Sequence, residues 1–242
     1  MIVYESYIHV TEKYQLLISC VRLPSEEQQP RAMETAAVAR NSAQIGQTFM
    51  NKQIESVLDQ VFEPYLKHGA NDYIGEPVSQ IEHMSQCAEL ARRQGHDDEV
   101  ILAAFFHDLG HICANYGETD NMGGYGRISH EKVGADFLRT RGFSEKIAIL
   151  VERHVDTKRY LCSRSSAYYN KLSPASKRTL IFQGGPMPAA EAAAFESDPL
   201  HSLYIEVRAW DELAKQKNQP VPDLDIYRSM ARKHLQQQYD IS

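Results

Sequence analysis

Cysteine is scarce in this sequence, and its placement excludes several classes of protein. The four cysteines in 242 residues form no CxxC pair, so we expect neither a disulfide framework nor a cysteine-based zinc site, and a reducing compartment fits best. No stretch approaches ~18 consecutive apolar residues, and the N-terminus lacks a basic segment followed by an apolar one. We therefore expect a soluble, cytoplasmic protein that makes no membrane contact.

An excess of positive charge is missing as well. The chain carries 26 Lys and Arg against 32 Asp and Glu, a formal net charge of -6, and no long Lys/Arg run. Nucleic acid and anionic membranes are therefore not expected as partners, and an anionic small molecule would have to be bound by a few local basic side chains. No feature of the sequence indicates an oligomeric state.

Strict alternation of apolar and polar residues, which would indicate β-strands, is also absent over any useful length. From about Asn51 onward, apolar residues recur instead at three- and four-residue steps, which predicts an all-α fold. Residues 1–50 mix both signals and contain no recognisable chemistry. We predict an N-terminal extension of unknown role over residues 1–50 and one catalytic domain over residues 51–242.

Helix boundaries follow from capping residues and breakers. Pro77 is expected at the first position of a helix that Gly95 ends, and the apolar run from Val100 to Phe106 predicts a helix buried on all sides. The last strong helix is expected after Pro199. Three serines are predicted as helix N-caps: Ser129, Ser144 and Ser173.

Histidines and aspartates fall on the inward faces or at the ends of these helices. Burying such groups is costly unless they are paired or bound to a metal. Imidazole and carboxylate without thiolate suit iron, manganese, zinc or nickel, and a shared carboxylate can bridge two ions about 3.5 to 4 Å apart. The predicted ligands of a two-metal site are His83, His107, Asp108, His130, His154 and Asp211.

Basic and hydroxyl side chains are expected around these ligands. Lys158 lies four residues after His154, and His111 lies three residues after Asp108, so that each is one helical turn from a ligand. Together such groups would form a cradle for the oxygens of an anion. The cradle is predicted to be completed by Ser176, Thr179 and Arg208.

The spacing of the histidines and aspartates resembles the H…HD…D signature of the HD superfamily, whose members are mostly metal-dependent phosphohydrolases. The additional His130 and His154 resemble the two-metal branch of that superfamily. Over roughly residues 70–216, the chain resembles the HD-domain mixed-valent diiron oxygenases, closely those that form glycine from 2-amino-1-hydroxyethylphosphonate. The segments that carry this resemblance are YIGEPVSQIEHMSQCA, FFHDLGH, SHEKVGADFL, ERHVDTKRYL, LSPASKRTLIFQGGPM and EVRAWDELAK.

The resemblance implies an HD-domain helical bundle that holds two iron ions, Fe(II) and Fe(III), bridged by Asp108. It implies that His83, His107 and Asp211 complete one iron site, and that His130 and His154 complete the other. O2 is the implied co-substrate. The implied substrate is a 1-hydroxy-2-aminoethylphosphonate, cleaved at its carbon-phosphorus bond to glycine and phosphate, with an N-methylated relative left open.

The same resemblance implies roles for residues around the metals. His111 and Lys158 are implied to be catalytic and, with Ser176, Thr179 and Arg208, to bind the phosphonate. Tyr73 resembles a lid tyrosine of the family, and Glu76 resembles the carboxylate that meets the substrate's amino group. Favourable placement of Glu76 at a helix N-terminus is an alternative explanation of that residue.

A hydrolytic function would use the same ligands. With manganese or nickel, the site would activate water for hydrolysis of a nucleotide or another phosphate ester, and the H…HD…D core by itself does not separate the two functions. The joint occurrence of His130, His154, Lys158 and the YIGE segment favours the oxygenase. A binding module without turnover, in which the metals only stabilise the fold, is least expected. In purely structural sites, protein ligands normally fill every coordination position of the metal.

Overall fold

The computed structural model describes residues 28–73, 75–113 and 121–241, with side chains from residue 41 onward. These residues contain two isolated β-bridges and no strand, which confirms the predicted all-α fold. A short 3-10 helix, Leu109–His111, interrupts the series of α-helices. The α-helices are α1 Gln28–His68, α2 Gln80–Arg93, α3 Asp98–Phe106, α4 His130–Arg139, α5 Glu145–Arg164, α6 Ser166–Lys171, α7 Pro174–Phe182, α8 Ala189–Glu196, α9 His201–Leu213 and α10 Leu224–Ile241.

Side-chain caps begin several of these helices where the sequence predicts them. Asp97, Ser144 and Ser173 each accept a hydrogen bond from the backbone amide three residues further on, at 3.0, 3.4 and 3.1 Å. Each bond satisfies one of the free amides of a first helical turn. The predicted starts of α5 and α7 are thereby confirmed.

The start of α2 differs from the prediction. Helix α2 begins at Gln80 rather than at Pro77, because Ser79 and Glu82 form a reciprocal capping box. The Ser79 amide donates to Glu82 Oε2 at 2.7 Å, and Ser79 Oγ accepts from the Glu82 amide at 3.4 Å. Two amides are satisfied in this way, so Pro77 lies in the preceding turn.

Two further expectations about helices were wrong. Ser129 precedes α4 but caps nothing with its side chain, because its backbone is left-handed, with φ at 56°. The helix after Pro199 is not the last strong one, since the 18-residue helix α10 follows it. The apolar positions of α10 are spread among Arg, Gln and Lys side chains, which weakened its signal in the sequence.

Helix α3 forms the centre of the bundle. Every residue from Val100 to Phe106 is buried, and α2, α5 and α10 pack against this helix. Tyr227 of α10 stacks on Phe105 with ring centroids 4.1 Å apart, and the Tyr65 hydroxyl donates to the Phe105 carbonyl at 3.1 Å. The polar residues that follow α3 therefore emerge in the middle of the fold.

The 3-10 helix and α4 approach each other very closely at Gly110. A Cβ atom added to Gly110 would lie 1.9 Å from the carbonyl oxygen of His130 and 2.9 Å from the amide nitrogen of Gly134. Glycine is the residue that permits such a contact between two backbones. The position of His130 relative to the end of α3 depends on this contact.

Residues Lys52–Ser242 form one compact unit that contains α2 to α10. The first 27 residues of the predicted extension lie outside the described part of the chain, and the boundary at residue 50 stays a prediction. Among the helices that the structure describes, none is long and apolar enough to cross a membrane.

The substitution Gly110→Ala is expected to destabilise the compact unit by about 1–3 kcal/mol, because the backbones of two packed elements must separate. Guanidinium unfolding followed by circular dichroism measures the change. Gly46→Ala is the control, because a Cβ at Gly46 meets no atom within 4 Å. An equal effect of the two substitutions would contradict the close approach as the cause.

Candidate metal centre

The carboxylate of Asp108 lies between two pairs of histidines. Its Oδ1 is 3.3 Å from Nε2 of His130 and 3.4 Å from Nε2 of His154. Its Oδ2 is 3.3 Å from Nε2 of His107 and 3.5 Å from Nε2 of His83. All five side chains are buried. Each oxygen of one carboxylate thus faces its own pair of imidazoles.

Asp211 joins the pair formed by His83 and His107. Its Oδ1 is 3.4 Å from Nε2 of His83, and its Oδ2 accepts a hydrogen bond from Nη1 of Arg208 at 2.5 Å. The Arg208 guanidinium and the nearby imidazoles hold the pKa of Asp211 well below its usual range, although burial opposes this. All six residues predicted from the sequence as metal ligands therefore meet in one buried cluster.

Backbone carbonyls orient the four imidazoles. In each ring Nδ1 lies within hydrogen-bond distance of a carbonyl oxygen, so Nδ1 donates and Nε2 keeps its lone pair. The partners are Ala214 for His83 at 2.9 Å, Ala104 for His107 at 2.8 Å, Arg127 for His130 at 3.2 Å and Val151 for His154 at 2.7 Å. This arrangement is typical of histidines that bind a metal through Nε2.

The cluster needs cations to be satisfied. Nε2 of His83 lies 3.1 Å from Nε2 of His107, and the same distance separates Nε2 of His130 from Nε2 of His154. Asp108 Oδ2 is buried and, among the described residues, has no hydrogen-bond donor. Lone pairs that face each other at this distance repel unless a positive ion lies between them. The residues present therefore fit a metal ion in each half of the cluster.

Protons are the alternative cations in the protein without metal. Burial opposes a charge on His83, but the carboxylates of Asp108 and Asp211, 3.5 and 3.4 Å from its Nε2, raise its pKa to about 9. Burial likewise opposes ionisation of Asp108, yet the surrounding imidazoles hold its pKa well below the usual range. Because a metal must displace these protons, metal binding weakens as the pH falls.

A thiol next to the cluster was missed by the sequence analysis. Cys87 Sγ lies within 4.8 Å of ring nitrogens of His83 and His107. Burial raises the pKa of Cys87 well above its ordinary value, which keeps this thiol neutral. The signal was present in the sequence, because Cys87 follows His83 by four residues on the same helix.

A cleft opens beside Asp108, and basic and hydroxyl side chains line it. Nζ of Lys158 donates to Oγ1 of Thr179 at 3.0 Å, and Ser176 lies on the same helix as Thr179. Nε of Arg208 donates to the Tyr168 hydroxyl at 3.0 Å. Lys158, Ser176, Thr179 and Arg208, all predicted from the sequence, line one cleft together with the metal cluster.

His111 acts as a hydrogen-bond donor toward the cleft. Its ring stacks on that of His130 with centroids 3.9 Å apart, and its Nδ1 accepts from the backbone amide of Arg127 at 3.2 Å. Nε2 therefore carries the proton, and it lies 4.0 Å from Oδ1 of Asp108. Burial and the nearby imidazoles hold the pKa of His111 well below its ordinary value, so the ring is neutral.

The segment before α2 supplies Tyr73 and Glu76 to the same cleft. The Tyr73 ring stacks on His83 with centroids 4.2 Å apart. Glu76 Oε1 accepts from Lys215 Nζ at 2.9 Å and from Ser173 Oγ at 2.6 Å. Glu76 is therefore already paired in this structure, and its partner Lys215 was not predicted from the sequence.

The glycine-rich segment from Asn121 to Arg127 is a closed turn. Asn121 forms an antiparallel bridge with Arg127, and the Met122 amide donates to the Gly126 carbonyl at 2.8 Å. Gly126 has φ at 95°, and a Cβ there would lie 2.6 Å from Cε1 of His111. This turn packs on the edge of the cleft.

Comparison with known proteins agrees with the fold and the cluster. Residues 81–183 match the model of the HD domain. The chain is 37% identical over 184 residues to an uncharacterised protein, L432, of Acanthamoeba polyphaga mimivirus, which covers 76% of this chain and 84% of the relative.

Two further relatives have named activities. The chain is 38% identical over 173 residues to 1-hydroxy-2-(trimethylamino)ethylphosphonate dioxygenase (glycine-betaine-forming) of Leisingera caerulea, covering 70% of this chain and 87% of the relative. It is 40% identical over 167 residues to hydroxymethylphosphonate dioxygenase of Gimesia maris, covering 69% of this chain and 82% of the relative.

The helical bundle and the buried histidine-aspartate cluster define an HD-domain metalloenzyme. The identity and the coverage then show that the chain belongs to the HD-domain diiron phosphonate oxygenase family. It is accordingly an O2-dependent oxygenase, and the resemblance noted in the sequence is confirmed.

The substitution Asp108→Ala is expected to remove both metal ions, because its two oxygens serve both histidine pairs. Asp211→Ala is the matched control and should leave about one ion per chain, held by His130, His154 and Asp108. Metal content after reconstitution, measured by mass spectrometry on protein with unchanged circular dichroism, gives the result. Full metal content in Asp108→Ala would contradict a shared carboxylate.

Proposed function

We propose that this chain is a diiron oxygenase that cleaves the carbon-phosphorus bond of a 1-hydroxy-2-aminoethylphosphonate, giving glycine and phosphate. The observation that carries the proposal is the carboxylate of Asp108 between two histidine pairs, directly beside a cleft with buried cationic side chains. Iron is proposed because imidazole and carboxylate ligands suit it and because the relatives are oxygenases.

The proposed ligand sets follow the two halves of the cluster. His83, His107, Asp108 and Asp211 would hold one iron, and Asp108, His130 and His154 would hold the other. When bound, such a redox-active pair activates O2 and accepts electrons from the substrate.

The activities for which the two relatives are named support the reaction class. Both relatives are named for phosphonates that carry a hydroxyl group on the carbon bonded to phosphorus. They differ beyond that carbon, where one substrate has a trimethylammonium group and the other has no further substituent. We propose that this chain also acts on a phosphonate with a hydroxyl group on the carbon bonded to phosphorus. The aminomethyl group on that carbon is the more specific part of the proposal.

The cleft supplies donors for the phosphonate. Lys158 and Arg208 are buried cations, and the hydroxyl groups of Ser176 and Thr179 lie on α7 and line the same cleft. A phosphonate offers three oxygens as acceptors. Hydrogen bonds to them from charged donors such as Lys and Arg are stronger than those from neutral donors. His111 adds one neutral donor through Nε2. These residues would hold the substrate with its carbinol carbon facing the metals.

The amino group would lie beside the segment that precedes α2. Glu76 offers a carboxylate there. The side-chain oxygen of Gln80 lines the same cleft, is buried, and has no donor among the residues that the structure describes. An ammonium group is a donor that both oxygens can accept.

The proposed reaction balances without any other reagent. One molecule of 1-hydroxy-2-aminoethylphosphonate and one O2 contain the atoms of one glycine and one phosphoric acid. The carbon-phosphorus bond and the carbinol carbon-hydrogen bond break, new carbon-oxygen and phosphorus-oxygen bonds form, and O2 takes up all four electrons from the substrate. No external reductant is consumed in each turnover.

Oxygen consumption by the iron-reconstituted protein tests the proposal. We expect uptake of O2 with racemic 1-hydroxy-2-aminoethylphosphonate, with glycine and phosphate appearing in equal amounts. Oxygen uptake with methylated analogues alone would change the substrate and keep the reaction. Release of phosphate from nucleotides with manganese or nickel, without oxygen uptake, would favour the hydrolytic alternative and contradict the proposal.

The pH dependence of substrate binding provides a second test, through Lys158. Burial, together with the charge of Arg208, lowers the pKa of Lys158 to about 7, and Lys215 acts in the same direction, whereas Asp108 and Asp211 favour the charged form. The ammonium form binds the phosphonate, so KM is expected to rise severalfold as the pH increases from about 6 to about 8.

Lys158→Arg is the matched control, because a guanidinium stays charged over this range. Its KM should vary less with pH than that of the wild type. The effect of the substrate's own ionisation on KM is common to both proteins and cancels in the comparison. KM is obtained from initial rates of phosphate release. Identical pH profiles for the two proteins would contradict a role of the Lys158 ammonium in binding.

A further inference from the structure

A largely buried ion pair lies at the edge of the cleft, where Glu76 lines it. Nζ of Lys215 donates to Oε1 of Glu76 at 2.9 Å, and the side chains are 12% and 9% exposed. Ser173 Oγ donates to the same oxygen at 2.6 Å. One oxygen of Glu76 therefore already has an ammonium and a hydroxyl as partners.

The backbone that carries Lys215 is anchored to α2. The Ala214 carbonyl accepts the Nδ1 proton of His83 at 2.9 Å. The Gln216 amide donates to Gln86 Oε1, and Gln86 Nε2 donates to the Gln216 carbonyl, both at 3.0 Å. Lys215 lies between these two anchors, so its ammonium is presented to Glu76 from a fixed position.

We propose that Lys215 determines substrate specificity, as an internal counter-ion that occupies the place of the substrate's cationic group at Glu76. The inference rests on the proposed function, in which Glu76 meets the amino group of the phosphonate. With Lys215 in place, the Glu76 carboxylate is neutralised even when the substrate has no amine. The site therefore accepts hydroxyalkylphosphonates without a positively charged group. Its preference for substrates that carry such a group is weaker than it would be without Lys215.

The charges at this edge of the cleft give the direction of the effect. When an amine-bearing substrate binds, its ammonium is a second cation beside Lys215, and two like charges that share one carboxylate repel each other. When Lys215 is absent, Glu76 is a buried and unpaired anion, which is costly. An ammonium on the substrate would relieve that cost, whereas the anionic phosphonate of a substrate without an amine would increase it.

The family contains both kinds of substrate at this position. Of the two named relatives, one acts on a phosphonate with a trimethylammonium group, and the other acts on hydroxymethylphosphonate. Lys215 sets the charge next to the substituent in which the substrates of these relatives differ. It is therefore placed to influence which of these substrates is preferred.

The test compares 1-hydroxy-2-aminoethylphosphonate with hydroxymethylphosphonate as substrates of the iron-reconstituted full chain. In Lys215→Met, kcat/KM for the amine-bearing substrate divided by that for hydroxymethylphosphonate is expected to rise about tenfold or more, with KM falling for the first and rising for the second. Lys217→Met is the matched control, because it removes an exposed lysine two residues away, and its ratio should equal that of the wild type.

A double variant and a binding measurement separate specificity from simple loss of structure. In Glu76→Gln/Lys215→Met both charges are gone, so the ratio should return toward that of the wild type. Glu76→Gln alone leaves Lys215 uncompensated, and its ratio should fall below that of the wild type even if Lys215→Met does not fold. Calorimetric Kd values without O2 should follow the same order.

Several outcomes overturn the inference. Equal losses for both substrates in Lys215→Met would make Lys215 a residue that merely positions Glu76. An unchanged ratio in Lys215→Met, with turnover of both substrates intact, would overturn the inference and leave the proposed function standing. Absence of turnover with either substrate in the wild type would overturn the proposed function itself.

Discussion

The position of one carboxylate organises the entire site. Asp108 is buried between two pairs of imidazoles, each of which faces one of its oxygens. A buried carboxylate with an unpartnered oxygen, beside nitrogens whose lone pairs converge, is stable only with positive charge among them. The four helices that carry these ligands, α2, α4, α5 and α9, must therefore be held rigidly around the end of α3.

The rest of the fold supplies that rigidity. Helix α3 is apolar on every face, so that helices pack around it and leave its polar C-terminal end at the centre. The backbone contact at Gly110 sets the distance between this end and α4. Each histidine is then locked by a carbonyl, and one of these carbonyls, that of Ala214, also fixes the segment bearing Lys215. The histidine-aspartate cluster and the charge next to Glu76 are thus connected through the same short stretch of backbone.

The charge of the cleft is opposite to that of the molecule as a whole. The protein has a formal net charge of -6, yet Lys158 and Arg208 line one cavity, and Lys215 pairs with Glu76 at its edge. Such local concentration lets an acidic protein bind a small anion, because the buried cations act at short range in a medium of low polarity. The ion pair with Glu76 limits that positive field at the edge where a substrate's own cation would lie.

Much of this was readable from the sequence, for local reasons. The apolar run of α3, the caps at Ser144 and Ser173, and the one-turn spacing of Lys158 from His154 depend on residues near one another in the chain, and local hydrogen bonds decide them. The six residues of the cluster were recognisable because buried ionisable groups need a common explanation. The left-handed backbone of Ser129 and the pairing of Glu76 with Lys215 were decided by tertiary structure. Glu76 and Lys215 are far apart in the chain and meet because α2 and α9 pack together, and no local pattern encodes such a contact.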